Sequence, residues 1–208
     1  VWDDRIHRDT IAVARQAAQR LAGLGYTREI VASEFAVTFL DPADRAAGRG
    51  AFQRSPESVS GHPAYSARTI ATALSLAGAG YGPILYWEFQ DPRWGKASYG
   101  LRDVDGRPRA TYAPWAHIIQ TARSNPGASL SIEQGSTVFR LHKGTETLAL
   151  ILVNQTGEQT DVVFGQLHTA ARGESFRQIV AHSQSCVDPA VGSGVSLAPY
   201  EIRILQKK

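Results

Sequence analysis

Glu29-Ile30-Val31-Ala32-Ser33-Glu34-Phe35 is a short apolar run that closes on a carboxylate and an aromatic ring. Ile30, Val31 and Ala32 are consecutive rather than alternating with polar residues, which is how a parallel strand covered on both faces reads. Ile84-Leu85-Tyr86-Trp87-Glu88-Phe89-Gln90-Asp91 repeats the design, an apolar and aromatic run that ends in polar groups. Each run follows a helical segment. Strands that follow helices and finish on functional side chains predict an α/β unit whose site lies at the strands' C-terminal ends.

Upstream of the first run, Asp9 to Leu24 reads as an amphipathic helix. Ile11, Ala14, Ala18 and Leu21 recur at spacings of three and four and so share one face. Gly25 supplies the residue able to adopt positive φ after the last turn. Downstream, Phe35 to Ser60 carries Asp41-Pro42, Gly48, Gly50 and Ser55-Pro56, a loop long enough to be expected in the wall of a site. A second helix is announced by Pro63 in its first turn. Its expected apolar stripe is Ala67, Ile70, Ala71, Leu74 and Ala77, and Gly78, Gly80 and Gly82-Pro83 are expected to end it before the second strand. A third helix, from Tyr112 to about Arg123, is expected to bury Trp115, Ile118 and Ile119.

Ser124-Asn125-Pro126-Gly127 is the clearest break, and it predicts domains at 1–126 and 127–208. Beyond it the hydrophobic period changes from helical to two-residue. Strands are predicted at Thr137–His142, Leu148–Val153, Asp161–Phe164, Ser175–Val180 and Val195–Leu205. Five or more short strands without a helix predict a small antiparallel β-sandwich of about 80 residues. The first half is physically incomplete by comparison, because two parallel strands leave edges and faces without partners. The chain also contains no methionine. Both observations predict the C-terminal part of a longer protein.

Composition narrows the function classes. Hydrophobic content of 43% with 20% charged residues is that of a globular protein. No apolar run approaches the roughly 20 residues needed to cross a membrane, so no membrane role is expected. Val1 to Arg8 shows no signal-peptide pattern. The formal charge is +3, with basic residues scattered rather than clustered, so no nucleic-acid partner is expected. Cys186 is the single cysteine, which rules out an internal disulfide and a cysteine-ligated metal site. His7, His62 and His117 are isolated and lack metal-ligand spacing, so no metal or cofactor is expected.

Several motifs stand in a fixed order. Ser33-Glu34-Phe35 ends one strand and Trp87 lies in the other. Tyr99-Gly100-Leu101, Asp105-Gly106, Pro108 and Tyr112 follow, and the chain closes on Val195 to Leu205. This set resembles the C-terminal third of the large clan of retaining glycoside hydrolases built on a (β/α)8, or TIM, barrel. The resemblance implies that Glu34 is the nucleophile at the end of strand seven. It also implies that Trp87 floors the subsite where the sugar is cleaved, and that a β-sandwich follows the barrel. The clan's acid/base typically lies in an Asn-Glu pair on strand four. This sequence contains no Asn-Glu, so that group is expected in a missing N-terminal part of the barrel.

The chemistry that the resemblance implies needs two carboxyl groups, one to protonate the leaving oxygen and one to attack the anomeric carbon. Glu34 is the candidate for attack, since a carboxylate at the end of a buried strand is costly without a task or a partner. Trp87 offers a flat apolar surface to a pyranose ring. Glu88 and Asp91 are candidates to accept hydrogen bonds from sugar hydroxyls, although strict alternation sends Glu88 to the face opposite Trp87. Trp94, in the loop beyond, is a further candidate sugar contact. The expected partner is therefore a carbohydrate, and the resemblance favours an exported protein. A non-catalytic carbohydrate-binding or structural protein on a degenerate barrel is the alternative.

Overall fold

The computed structural model describes residues 4–35, 63–86, 88–91, 99–134, 137–163, 176–180 and 194–207. The described residues form a mixed α/β structure in two compact units, Val1–Arg109 and Ala110–Lys208. In the first unit, helix α1 spans Asp4–Gly23. It starts upstream of the expected Asp9, because no glycine or proline between them breaks a helix. Ile11 and Ala14 are buried and Ala18 and Leu21 half-buried, while Arg15, Gln19 and Arg20 are exposed, as the spacing predicted. At its C-terminus the Tyr26 N–H donates to Leu21 O at 2.9 Å and the Gly25 N–H to Ala22 O at 3.0 Å, with Gly25 at φ +77. That is a Schellman closure, and it needs a glycine.

Strand β1 (Ile30–Phe35) pairs in parallel with β2 (Tyr81–Tyr86), and helix α2 (Pro63–Gly78) lies between them in sequence. The helix starts at Pro63 as expected. Its burial is wider than the predicted stripe, since every residue from Ala64 to Ser75 is buried. Eight of those twelve residues are alanine, serine or threonine, whose small side chains allow close approach. Gly82-Pro83 lies inside β2 rather than before it, joined by a cis peptide bond, and β2 ends at Tyr86, short of the expected Asp91. The Tyr81 hydroxyl donates to Ala14 O at 3.2 Å and ties β2 to α1. One face of this sheet is open. Val31 is 47% and Leu85 52% exposed, contrary to the expectation of cover on both faces. The long loop predicted after Phe35 lies outside the described residues.

The second unit opens with α3 (Tyr112–Ser124), so the unit boundary after Arg109 precedes the expected domain break by the length of this helix. Within α3, Pro114 and Thr121 are buried. Trp115 and Ile118 are only half-buried and Ile119 is 41% exposed, so the expected apolar face is not covered. Strands β3 (Ser129–Gln134), β4 (Val138–Lys143), β5 (Glu146–Val153), β9 (Ile202–Lys207) and β7 (Phe176–Val180) form an antiparallel sheet in that order. Strands β6 (Thr160–Val163) and β8 (Gly194–Leu197) form a second. Val138, Leu150, Leu152 and Leu205 of the first sheet share one core with Val162, Val195 and Leu197 of the second.

Two strands of this unit also differ from expectation. Strand β3 was not predicted, because its Ser131 and Glu133 are polar residues engaged by the buried Arg140 side chain, with Nε–Oε1 at 2.9 Å. The predicted strand Val195–Leu205 is two strands in two sheets. Between them the Glu201 N–H donates to Ala198 O at 3.1 Å, and Tyr200 adopts φ +58.

Candidate functional site

Strands β1 and β2 end side by side, with Phe35 paired to Tyr86. Glu34 is the residue before Phe35, and the structure describes its strand position only. From Ile30 to Ala32 the ladder carries an extra β2 residue, and from Ala32 to Phe35 an extra β1 residue. Such irregularities re-aim the side chains that follow them and are frequent beside active sites. Trp87 and Trp94 lie outside the described residues.

Beyond Tyr86 the chain leaves the β1–β2 ladder, so strand alternation does not decide where Glu88 faces. Residues 88–91 instead meet the return segment 99–109. The Glu88 carbonyl accepts the Leu101 N–H at 3.0 Å, the Phe89 carbonyl accepts the Arg102 N–H at 3.0 Å, and the Asp91 N–H donates to Arg102 O at 3.1 Å. The return is a tight hairpin. Its Asp103 carboxylate accepts the Asp105 and Arg107 N–H groups at 3.0 and 2.8 Å, and Gly106 turns at φ +82. Arg102 stacks its guanidinium over the Phe89 ring, 5.4 Å from the centroid.

Asp91 and Glu88 differ sharply in environment. Asp91 is 8% exposed. Its Oδ1 accepts the Gly100 N–H at 2.7 Å, and its Oδ2 is ion-paired with Arg109. A carboxylate this buried is tolerable because both oxygens are engaged. A Cβ on residue 100 would collide with Arg102 O and with the Asp91 backbone N, so the glycine of Tyr99-Gly100-Leu101 is required by close approach. Glu88 is half-buried, and burial, then the Asp91 charge, raises its carboxyl above the ordinary range.

Two tyrosines complete the cluster. Tyr65, on α2, is fully buried, and its hydroxyl lies 2.7 Å from that of Tyr86. Both hydroxyls approach the Tyr99 carbonyl, Tyr86 at 2.9 Å and Tyr65 at 3.2 Å. Two hydroxyl protons serve three short contacts. The two shortest are met if Tyr65 donates to Tyr86 and Tyr86 donates to the carbonyl. Burial above all raises Tyr65 far beyond the ordinary phenol range, and it pushes Tyr86 up to about 12, against the hydrogen bond from Tyr65. Neither hydroxyl ionises near neutral pH, so both stay hydrogen-bond donors there. Tyr65, Tyr86 and Arg109 were not singled out in the sequence. The one available signal was Tyr65 itself, the single aromatic residue in a helix rich in alanine, serine and threonine. Among the described residues no group of His, Cys, Asp or Glu side chains could hold a metal ion.

No protein-family model and no curated protein matches this sequence. Solved structures do match in fold. A conserved exported protein from Bacteroides fragilis aligns over 99% of this chain and 44% of its own, at TM-score 0.60 and 14% identity. A monomeric β-xylosidase from Caulobacter crescentus aligns over 96% and 49%, at TM-score 0.56 and 7% identity. A family 39 glycoside hydrolase from Bacteroides cellulosilyticus aligns over 86% and 34%, at TM-score 0.53 and 16% identity. The chain thus spans between a third and a half of the length of these structures. What it shares with them is a glycoside-hydrolase-like fold.

Proposed function

We propose that this chain is the nucleophile-bearing part of a retaining glycoside hydrolase, comprising the last strands of a (β/α)8 barrel and an appended β-sandwich. The observation that carries the proposal is the side-by-side ending of β1 and β2. Glu34 stands at that end, and the segment after β2 folds back on itself, residues 99–109 against 88–91. The fold shared with glycoside hydrolases supports it.

In this mechanism the Glu34 carboxylate attacks the anomeric carbon and forms a glycosyl ester as the bond to the leaving oxygen breaks. A second carboxyl group, about 5–5.5 Å away and contributed by another part of the barrel, gives its proton to that oxygen. The same group then takes a proton from water, which hydrolyses the ester and frees Glu34. Trp87 stacks on the sugar ring, and Glu88 and Trp94 border the subsite. Asp91 acts first by holding the return segment, since both of its oxygens are engaged. The substrate is an oligo- or polysaccharide and the protein is exported, in keeping with the exported neighbour. Among the described residues no helix is long and apolar enough to cross a membrane.

The test is Glu34→Gln in the complete enzyme. The variant should lose about a thousand-fold or more in turnover of an aryl glycoside, the scale of removing a catalytic nucleophile, while keeping its melting temperature. Turnover like that of the wild type would refute the assignment, and a wild type with no turnover would favour a carbohydrate-binding protein on a degenerate barrel.

A further inference from the structure

We infer that Tyr65, Tyr86 and Arg109 are positioning residues for Glu34, acting through the paired ends of β1 and β2. The inference rests on the reading of Glu34 as nucleophile. Glu34 is covalently joined to Phe35, and Phe35 pairs with Tyr86. The strand end that carries the carboxylate is therefore one backbone pairing away from Tyr86, whose side chain carries the hydroxyl.

That hydroxyl is held from two directions. Tyr65 reaches it from α2 at 2.7 Å, and the Tyr99 carbonyl accepts its proton at 2.9 Å. The carbonyl is itself fixed one residue further on, because the Gly100 N–H is held by Asp91 at 2.7 Å. Arg109 holds the other oxygen of Asp91. A helix, a strand end and a return segment thus converge on one buried point beside the last pair of the β1–β2 ladder. The hydroxyls and guanidinium touch no reacting atom in this scheme. They restrict the motion of the strand ends, and a shift of about 1 Å in a catalytic group can cost on the order of 100-fold in rate.

A network that only stabilised the fold would lower the melting temperature and leave the chemistry of the folded enzyme unchanged. The two cases separate in a double-mutant cycle on the complete enzyme, read with an activated aryl glycoside at a temperature where every variant is folded. Tyr65→Phe/Tyr86→Phe should lower kcat about 10-fold or more with KM within about 2-fold, because the lost interaction acts only in the transition state. In the Glu34→Gln background the same pair should cost less than about 2-fold, since the group being positioned is no longer a nucleophile.

An equal loss in both backgrounds, or a raised KM with unchanged kcat, would overturn the inference. If the double Phe variant does not fold, Tyr86→Phe alone enters the same cycle, because the Tyr65 hydroxyl already lies 3.2 Å from the Tyr99 carbonyl. An inactive Glu34→Gln with no tyrosine effect would sink the positioning role alone. A fully active Glu34→Gln would remove the nucleophile assignment, and this inference with it.

Discussion

Tyr99 offers one carbonyl to two buried hydroxyls, and that redundancy sets how substitutions at the residue scale should behave. With either tyrosine changed to Phe the other hydroxyl is still within 3.2 Å of the carbonyl. Each single change should then cost about 1 kcal/mol, the usual net worth of a hydrogen bond. Tyr65→Phe/Tyr86→Phe takes both hydroxyl donors from the Tyr99 carbonyl and should cost more than the sum of the two, measured by urea unfolding. The same pair gives a pH dependence. The folded-state value for Tyr86, about 12, lies above the ordinary 10.0, so the fold favours the protonated phenol. That contribution is complete below pH 10 and is lost as pH rises through about 12. The unfolding midpoint of Tyr86→Phe should accordingly fall less steeply than that of the wild type between these limits. At this scale the sequence was legible where a motif is local. Ser33-Glu34-Phe35 and Tyr99-Gly100-Leu101 could be read, and the close approach at Gly100 gives the second a physical cause. Tyr65 and Arg109 could not be read, because their partners lie 21 and 18 residues away and no short-range period marks such pairs.

At the scale of elements, period and punctuation recovered α1, α2 and most strands of the second unit. The failures share a cause. β3 is a strand whose polar residues are satisfied by Arg140, so its burial is hidden from a hydrophobic pattern. Val195 to Leu205 keeps a strand-like composition throughout, and the break in it is set by tertiary hydrogen bonds. Asn154 carries much of that break. Its Oδ1 accepts from the Thr156 N–H, the Thr156 hydroxyl and the Thr160 hydroxyl at 3.0, 2.8 and 3.1 Å. Its Nδ2 donates to Glu158 O at 2.6 Å and Ala198 O at 2.9 Å. One buried amide thereby joins the end of β5 to the start of β6 and the end of β8. Asn154→Ala strips several buried groups of a partner at once and should cost about 2 kcal/mol or more. A loss below about 0.5 kcal/mol, the range of ordinary surface changes, would show that the junction is held by other contacts.

At the scale of the whole molecule the two units differ in how well they cover their own apolar surface. The second closes a core between two sheets. The first leaves Val31 and Leu85 exposed on one face of a two-stranded parallel sheet, with Val13 exposed on α1 and Leu24 just beyond its end. Parallel sheets are stable when both faces are covered. Residues 110–208 expressed alone should therefore melt cooperatively, while residues 1–109 alone should bind a hydrophobic dye and show no sharp transition. A cooperative 1–109 would contradict the claim that this unit belongs to a larger sheet. Glu34 is the residue on which the proposed chemistry turns, and trapping the covalent intermediate tests its role. The complete enzyme is incubated with a 2-fluoro analogue of an aryl glycoside it turns over, digested, and analysed by mass spectrometry. The account predicts one added sugar on the peptide that contains Glu34, and none in Glu34→Gln. A sugar carried by a different carboxylate, with Glu34 unmodified, would contradict it.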